Sequence, residues 1–511
     1  MRRNSRNVRP RVLVVIALAL TFCIGSSLLF RFSARSPFQI FHASAPRISQ
    51  KKVLHAAEPP KHADGNHKHL SNPVTRILVI APHPDDETIG TGAVLYAAAH
   101  QGEELHVVVL TNGDAQIHAV QKTFRHTPFP PRDFIQLGWI RQQETWTAMR
   151  ILGVPARDVT FLGFPDGGLA SMWETSWGNH PVRGKYTHVT AVPYADSPTT
   201  DTPFTGSALN AALVEILRTF QPTQVYCIEP HDVHPDHWAS SNFVRLAIAE
   251  SGLHPQVQYY LVHYPGYPSQ MRLGDYVDLP LNPPRPLAGT ASWHRQPVAD
   301  NVRRVLRRAL TAYPSEDSVD LTFRRSFARK NTLFAQLPTP RLKYASAFNL
   351  AASGALPGSV AVLPHSGSSQ HHIPSAAVLQ TVGVLQLPQG LCIDWQTQGP
   401  LRATVAFRVD LWIVGPNHSP HRLTLLVNGK MNTFQWIDTG APLPSTVRPS
   451  VTLYAAHDRG GVLLKEIAPP AGSTLFVQVE SRDARQGMLD RMPLEEISLP
   501  KTSFPGAQQK P

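Results

Sequence analysis

Two polar clusters, each directly after a short apolar run, constrain this sequence most. The first stands in RILVIAPHPDDETIG at residues 76–90, where the apolar run Ile77–Ile80 predicts a buried strand and Thr88–His100 predicts a helix. The turn between them carries four titratable side chains: His83, Asp85, Asp86 and Glu87. In open α/β sheets, ligands bind where strands end in such turns. The cluster therefore predicts a functional site, and the alternative is an aspartate helix cap with an unrelated histidine beside it.

The second cluster repeats this arrangement in QVYCIEPHDVHPDH at residues 224–237. The apolar run Val225–Ile228 predicts a strand, and a helix is predicted over Trp238–Ser251. The turn holds five acidic or imidazole side chains: His231, Asp232, His234, Asp236 and His237. If both strands lie parallel in one sheet, the two turns meet at the same edge. Together they offer His, Asp and His as three ligands, and three protein ligands with a water are typical of a catalytic zinc site.

The rest of residues 73–336 alternates predicted strands with predicted helices. The further strands are Leu105–Leu110, Val159–Leu162 and Val257–Val262, and the further helices are Trp139–Leu152, Leu209–Phe220, Asn301–Tyr313 and Ser326–Phe334. We predict loops over Ala115–Gln136 and Asp166–Asp201, and aromatic side chains in the second loop either stack on a sugar or pack the loop down. This alternation predicts an α/β fold with a Rossmann-like, mostly parallel sheet and helices on both faces.

The hydrophobic period changes after a Pro-, Gly- and Ser-rich linker at residues 337–374. Apolar residues alternate along Leu401–Ile413, which is typical of a half-buried strand, and Asn428-Gly429 after Leu423–Val427 indicates a hairpin. Further strands are predicted at Val451–Ala455, Val462–Ile467 and Thr474–Val479. Residues 375–500 therefore form a predicted all-β, sandwich-like module, separable from the preceding domain, with a supporting or carbohydrate-binding role. Residues 501–511 are a tail.

The N-terminal 35 residues predict an export signal or a membrane anchor. Five arginines between residues 2 and 11 precede the apolar run Val12–Phe30. A basic flank before an apolar run places the following chain outside the cytoplasm, either anchored in the membrane through the N-terminal helix, which we favour, or secreted after cleavage. Residues 36–72 form a polar linker, in which His55, His62, His67 and His69 are either solvated or a metal-binding tract.

The net charge limits the classes of binding partner, and the cysteine content limits the kinds of metal or redox site. The net charge of +12 is compatible with anionic lipid or polysaccharide, but no basic run is interleaved with aromatics, so we expect no nucleic-acid binding. The three cysteines form no CxxC motif, so neither a thiolate zinc site nor a redox pair is indicated.

The APHPDDE and PHDVHPDH pair resembles the zinc-dependent PIG-L/LmbE-like de-N-acetylases, a family that includes N-acetylglucosaminyl-phosphatidylinositol de-N-acetylases and bacterial glucosaminide deacetylases. Two further stretches agree, RQQE at Arg141–Glu144 and FPDGGL at Phe164–Leu169. The resemblance covers about residues 75–334. It implies one Zn²⁺ ion held by His83, Asp86 and His237, which all match the family's metal positions.

The resemblance also implies the reaction. Metal-activated water would remove the N-acetyl group from an N-acetylglucosamine-type glycoconjugate, with Asp85 as the general base. His234 would stabilise the oxyanion as an imidazolium or protonate the leaving amine, and Arg141 would lie near the acyl end of the site. Asp236 could orient a histidine. His231 and Asp166 are candidates for substrate binding.

Two alternatives to this function stay open. One is a zinc amidase that acts on a bulkier acyl group or a thiol-sugar conjugate. The other is a non-catalytic sugar-binding protein.

Overall fold

The computed structural model describes residues 75–178, 180–269, 278–346, 360–361, 373–443, 448–483 and 487–500. The predicted signal or anchor at 1–35, the linker at 36–72 and the tail at 501–511 lie outside these residues. None of the helices within the described ranges combines the length and apolarity that a membrane crossing requires.

A seven-stranded sheet forms the centre of the N-terminal domain, in the order β3-β2-β1-β4-β5-β7-β6. The first five strands in this order pair in parallel, and β7 runs antiparallel to both of its neighbours. The strands are β1 Arg76–Ala81, β2 Glu104–Thr111, β3 Val159–Phe164, β4 Gln224–Ile228, β5 Gln256–Tyr260, β6 Ser292–Pro297 and β7 Asn331–Gln336.

Helices cover both faces of this sheet, as predicted. They are α1 Asp86–Gln101, α2 Ile117–Thr123, α3 Pro131–Leu152, α4 Leu169–Glu174, α5 Gly206–Phe220, α6 Pro235–Ser251, α7 Asp300–Leu310 and α8 Asp317–Arg325. Strand side chains alternate between the faces. Ile77 and Val79 of β1 therefore join an apolar cluster with α1, α3 and α7, whereas Leu78 and Ile80 join a second cluster with α5 and α6. Burial on both faces explains why β1 is a continuous apolar run.

Three of the predicted elements are wrong. The predicted loop Asp166–Asp201 contains the helix α4 at Leu169–Glu174. Ser326–Phe334 is not a helix, because its second half belongs to the strand β7, which lies between β5 and β6. Ala115–Gln136 is not a continuous loop, since it contains α2 and the beginning of α3 at Pro131. Proline is well suited to the first turn of a helix, where its missing N–H would have no partner, so Pro131 begins a helix there rather than breaking one.

The C-terminal module consists of two six-stranded sheets. Its strands are β8 Lys343–Tyr344, β9 Val360–Ala361, β10 Leu379–Leu387, β11 Gly390–Thr397, β12 Ala406–Val414, β13 Pro420–Asn428, β14 Phe434–Trp436, β15 Val451–Ala456, β16 Arg459–Lys465, β17 Thr474–Asp483, β18 Gly487–Arg491 and β19 Glu495–Ser498. One sheet is built on β10, β11 and β16 and the other on β12, β13 and β17, and side chains from both share one apolar core. The predicted sandwich and the predicted hairpin, formed by β13 and β14, are confirmed.

One face of β12 packs against the N-terminal domain. Val409 and Leu411 point into the sandwich core, whereas Trp412 joins the apolar cluster that contains Trp173 and Phe243. Arg408 and Asp410, which alternate with these apolar residues in the sequence, are buried on the same side as Trp412. The two domains therefore share a packed interface, which argues against the prediction that the β-module is separable.

Candidate active site

The two polar turns meet because β1 and β4 are parallel neighbours. His83, Asp85 and Asp86 lie at the end of β1, and His234 and His237 lie at the end of β4. Asp85 has a φ of 108°, in the region that favours glycine, and such strain persists only where surrounding contacts impose it. One such contact is the hydrogen bond that the Asp85 N–H donates to the Glu87 carboxylate, 3.0 Å away.

The three predicted zinc ligands form an equilateral triangle. His83 Nδ1 lies 3.2 Å from Asp86 Oδ2 and 3.2 Å from His237 Nε2, and the last two atoms are also 3.2 Å apart. Tetrahedral ligands about 2.0–2.1 Å from a zinc ion would lie about 3.3 Å from one another. These residues therefore fit a tetrahedral zinc ion with one position open. Among the residues that the structure describes, His234 and His263 also lie close enough to take part in a metal site.

A buried carboxylate faces the outer ring nitrogen of His83. Asp236 Oδ2 lies 3.2 Å from His83 Nε2, and this carboxylate accepts hydrogen bonds from the N–H groups of Gly167 and Leu169. Asp166 Oδ1 is 3.4 Å from the same nitrogen. A carboxylate at Nε2 holds the proton there and turns the lone pair of Nδ1 toward the metal position. The position of Asp236 agrees with an orienting role, and Asp166 also contacts His83.

His237 has an equivalent partner in Asp232. Asp232 Oδ2 lies 3.1 Å from His237 Nδ1 and accepts hydrogen bonds from the N–H groups of Val262 and His263. Although burial acts to raise it, the pKa of Asp232 is lowered, chiefly by His237. Asp232 is therefore a fixed anion that orients His237.

The electrostatics of the ligand set favour a cation. Burial acts to raise the pKa of Asp86, but His237 and His83 hold it well below its usual range. Burial acts to lower the pKa of His237, yet Asp232 and Asp86 raise it to about 9. Protons and metal ions compete for such imidazoles, so metal binding at this site would release protons.

Asp85 lies beside the triangle and has a perturbed carboxyl group. Burial, Glu316 and Asp86 raise its pKa well above the usual range, and Arg324 and Arg141 oppose this shift. The nearest atom of Arg324, Nη1, is 4.0 Å from Asp85 Oδ2. A carboxyl group with a raised pKa is suited to accept a proton near neutral pH.

Arg141 lines the candidate site, and its place near the acyl end of a substrate stays a prediction. Its guanidinium donates hydrogen bonds to the carbonyls of Gly113 and Pro84 and forms a 2.8 Å ion pair with Glu316. Arg141 therefore ties the turn after β1 to the turn after β2. No sequence motif marks Glu316 or Arg324, which reach the site from the segment around α8.

A cavity of about 320 Å³ opens onto these residues. His83, Asp85, Asp86, Arg141, Asp166 and His234 line it, together with residues that the sequence did not indicate, including Gln116, Lys185, His263, Glu316 and Phe323. Burial and the neighbouring His237, His83 and His263 lower the pKa of His234 to about 2. A pKa this low favours a neutral imidazole, and the role of His234 as a second catalytic histidine stays a prediction.

His231 lies apart from this cavity. Its Nδ1 is 2.9 Å from Glu229, and its side chain lines a second cavity of about 370 Å³ with Arg245 and Glu495. The structure thus places His231 away from the surface on which we expected it to bind substrate.

Comparison with known proteins identifies the family of the domain that holds the site. The family model described as GlcNAc-PI de-N-acetylase (PIG-L) matches residues 78–248. The 1D-myo-inositol 2-acetamido-2-deoxy-alpha-D-glucopyranoside deacetylase of Rhodococcus opacus is 29% identical over 35% of this chain and 54% of its own length. The enzyme of the same name from Mycobacterium leprae is 28% identical over 38% of this chain and 56% of its own. The chain thus spans about half the length of these relatives.

Among solved structures, the N,N'-diacetylchitobiose deacetylase from Pyrococcus horikoshii is similar over 48% of this chain and 72% of its own, with 19% identity and a TM-score of 0.29. The family match covers both polar turns and includes all three predicted metal ligands. The chain therefore contains a domain of the PIG-L family at residues 78–248.

Proposed function

We propose that this chain is a zinc-dependent hydrolase that removes the acetyl group from an N-acetylglucosamine-type glycoconjugate. The observation that carries the proposal is the triangle of His83 Nδ1, Asp86 Oδ2 and His237 Nε2, with sides of 3.2 Å and with Asp85 beside it. The names of the two relatives support the choice of substrate, because both are deacetylases of a 2-acetamido sugar joined to inositol.

His83, Asp86 and His237 would hold the zinc ion, which would polarise the amide carbonyl and lower the pKa of water. Asp85 would take the proton from the attacking water, because its carboxylate lines the cavity and does not belong to the ligand triangle. His234, as a neutral imidazole, would donate a hydrogen bond to the developing oxyanion, and Asp85 would pass the proton that it took from water to the leaving amine. Asp236 and Asp232 would keep the two histidine ligands in position throughout.

The cavity is compatible with this class of substrate. Its volume of about 320 Å³ is at the small end of ordinary ligand sites. Its walls offer both charged and apolar contacts, including Lys185 at the exposed side and Phe323, which stacks on His263 with 5.2 Å between ring centroids. One sugar ring with its acetamido group is therefore a suitable size of occupant.

The test is release of acetate by purified full-length protein loaded with zinc. A panel of N-acetylglucosaminides with different aglycones is compared with the same sugars carrying longer N-acyl chains. We expect acetate release from at least one N-acetyl sugar and slower hydrolysis of the longer amides. Faster hydrolysis of the longer amides would support the alternative amidase. Sugar binding without hydrolysis of any member, by protein that holds zinc, would support the non-catalytic alternative.

A further inference from the structure

The short helix α4 connects the candidate metal site to the β-module. At its N-terminal end, the Gly167 and Leu169 N–H groups donate hydrogen bonds of 2.6 and 3.0 Å to Asp236. Asp236 in turn lies 3.2 Å from His83 Nε2. The beginning of α4 therefore fixes the carboxylate that orients a predicted metal ligand.

At the other end of α4, two arginines of the β-module bind its last carbonyls. Arg422 Nη1 donates a 2.6 Å hydrogen bond to the Trp173 carbonyl, and Arg408 Nη2 donates one of 2.6 Å to the Glu174 carbonyl. The final carbonyls of a helix have no partner within the helix and carry partial negative charge. Guanidinium groups are therefore favourable caps at this position.

Asp410 holds the two arginines together. Its carboxylate lies 2.7 Å from Arg408 Nε and 2.9 Å from Arg422 Nη2, and the three side chains are at most 4% exposed. A buried ion cluster is weak evidence for stability, because well-packed apolar side chains often replace it without loss. Here the ion cluster fixes a geometry. One carboxylate holds two planar guanidinium groups, and these set the position of the C-terminal end of α4.

Packing restrains α4 from the side. The fully buried Trp173 ring lies between Trp412 of the β-module, 5.5 Å away by ring centroid, and Phe243 of α6, 5.1 Å away. The same α6 carries Asp236 and His237. Close-packed interiors transmit displacement, so movement of the α4 carbonyl end would reach the Asp236 hydrogen bonds.

We propose that Arg408 and Arg422 are positioning residues for the metal site, which act through α4 on Asp236 and His83. The β-module is thereby a support of the N-terminal domain's site. This inference rests on the proposed function only in taking His83 as a metal ligand.

The experiment uses full-length Arg422→Met, which removes the donors and keeps an apolar side chain against the two tryptophans. The control is Arg459→Met, which changes another buried arginine of the β-module, paired with Asp394 at 3.6 Å in the other sheet. Zinc affinity is measured by competition with a chelator, and amide hydrogen exchange of residues 167–174 is measured without metal. We expect Arg422→Met to weaken zinc binding roughly 2- to 30-fold and to speed exchange in that segment. Arg459→Met should do neither at a comparable melting temperature.

A double-mutant cycle tests whether Arg422 acts on the metal site through Asp236. If Arg422 acts through Asp236, then Arg422→Met should cost much less zinc affinity in an Asp236→Asn background than in the wild type. Additive losses, or equal effects of Arg422→Met and Arg459→Met, would overturn the proposal. If Arg422→Met does not fold, Arg408→Met and Arg422→Lys are judged by the same comparisons, each against its Arg459 counterpart. If the wild-type protein binds no zinc, the proposed function is refuted instead. Amide hydrogen exchange in residues 167–174 would then still decide whether the two arginines fix the position of α4.

Discussion

Replacing Trp412 by alanine should destabilise the whole described unit, not only the β-module. The side chain is fully buried and its ring lies 5.5 Å from Trp173 and 4.5 Å from Trp177 by ring centroid. A buried tryptophan removes about 200 Å² from water, which at about 25 cal/mol per Å² corresponds to about 5 kcal/mol. Tryptophan-to-alanine changes in cores cost about 3–5 kcal/mol. We therefore expect the free energy of unfolding to fall by about 4 kcal/mol.

Urea denaturation followed by far-UV circular dichroism measures this loss, and hydrogen exchange shows where it falls. Because Trp412 packs on side chains of the N-terminal domain, peptides around Phe243 and around β12 should lose protection together. The control is Phe434→Ala, which changes an exposed residue of the same sheet and should cost about 0.5 kcal/mol or less. A loss below about 1 kcal/mol for Trp412→Ala, or exchange confined to the β-module, would refute the reasoning that the two domains share a core.

Three further predictions follow from the site and the interface. Asp85→Asn should keep zinc and lose about two to four orders of magnitude in turnover, because it removes the proton acceptor but leaves the ligand Asp86. If metal analysis shows that the variant has lost zinc, the roles of Asp85 and Asp86 are exchanged. Glu316→Gln should move the acid limb of the pH–rate profile to lower pH. Turnover needs ionised Asp85 and falls as the pH falls through the pKa of Asp85. Because the charge of Glu316 raises this pKa, removing that charge lowers it. An upward movement would contradict this assignment. A chain that ends near Leu337 should aggregate or unfold, because the buried faces of Trp173 and Phe243 lose their cover; a folded monomer with full activity would show that the domains are independent after all.

The sequence predicted the parts of this fold that are set locally. The apolar runs before His83 and before His231 become neighbouring parallel strands, and the turns after them bring His83, Asp86 and His237 within hydrogen-bond distance. This succeeded because strand ends and polar turns are readable over a few residues, and because parallel strands carry their turns to one edge.

What the sequence did not reveal depends on long-range contacts. Glu316 and Arg324 stand in a segment with no motif, and only the packing of α8 brings them to Asp85. Arg408 and Asp410 lie on a strand that the sequence predicted to be half-buried, and the partner that buries them is α4, far away in the chain. Asn331–Gln336 became a strand because it fills a place between β5 and β6, which overrides its local preference.

The most direct test of the central claim is the zinc content of the protein with and without its predicted ligands. Protein that begins near residue 72 is expressed, dialysed against metal-free buffer and analysed for metal together with acetate release. We expect one zinc ion per chain in the wild type. The reason is that His83, Asp86 and His237 converge on one point, and a carboxylate orients each of the two histidines. His83→Ala and His237→Ala should each lose the ion and the activity while staying folded. Full retention of zinc in both variants would contradict the assignment of the metal site.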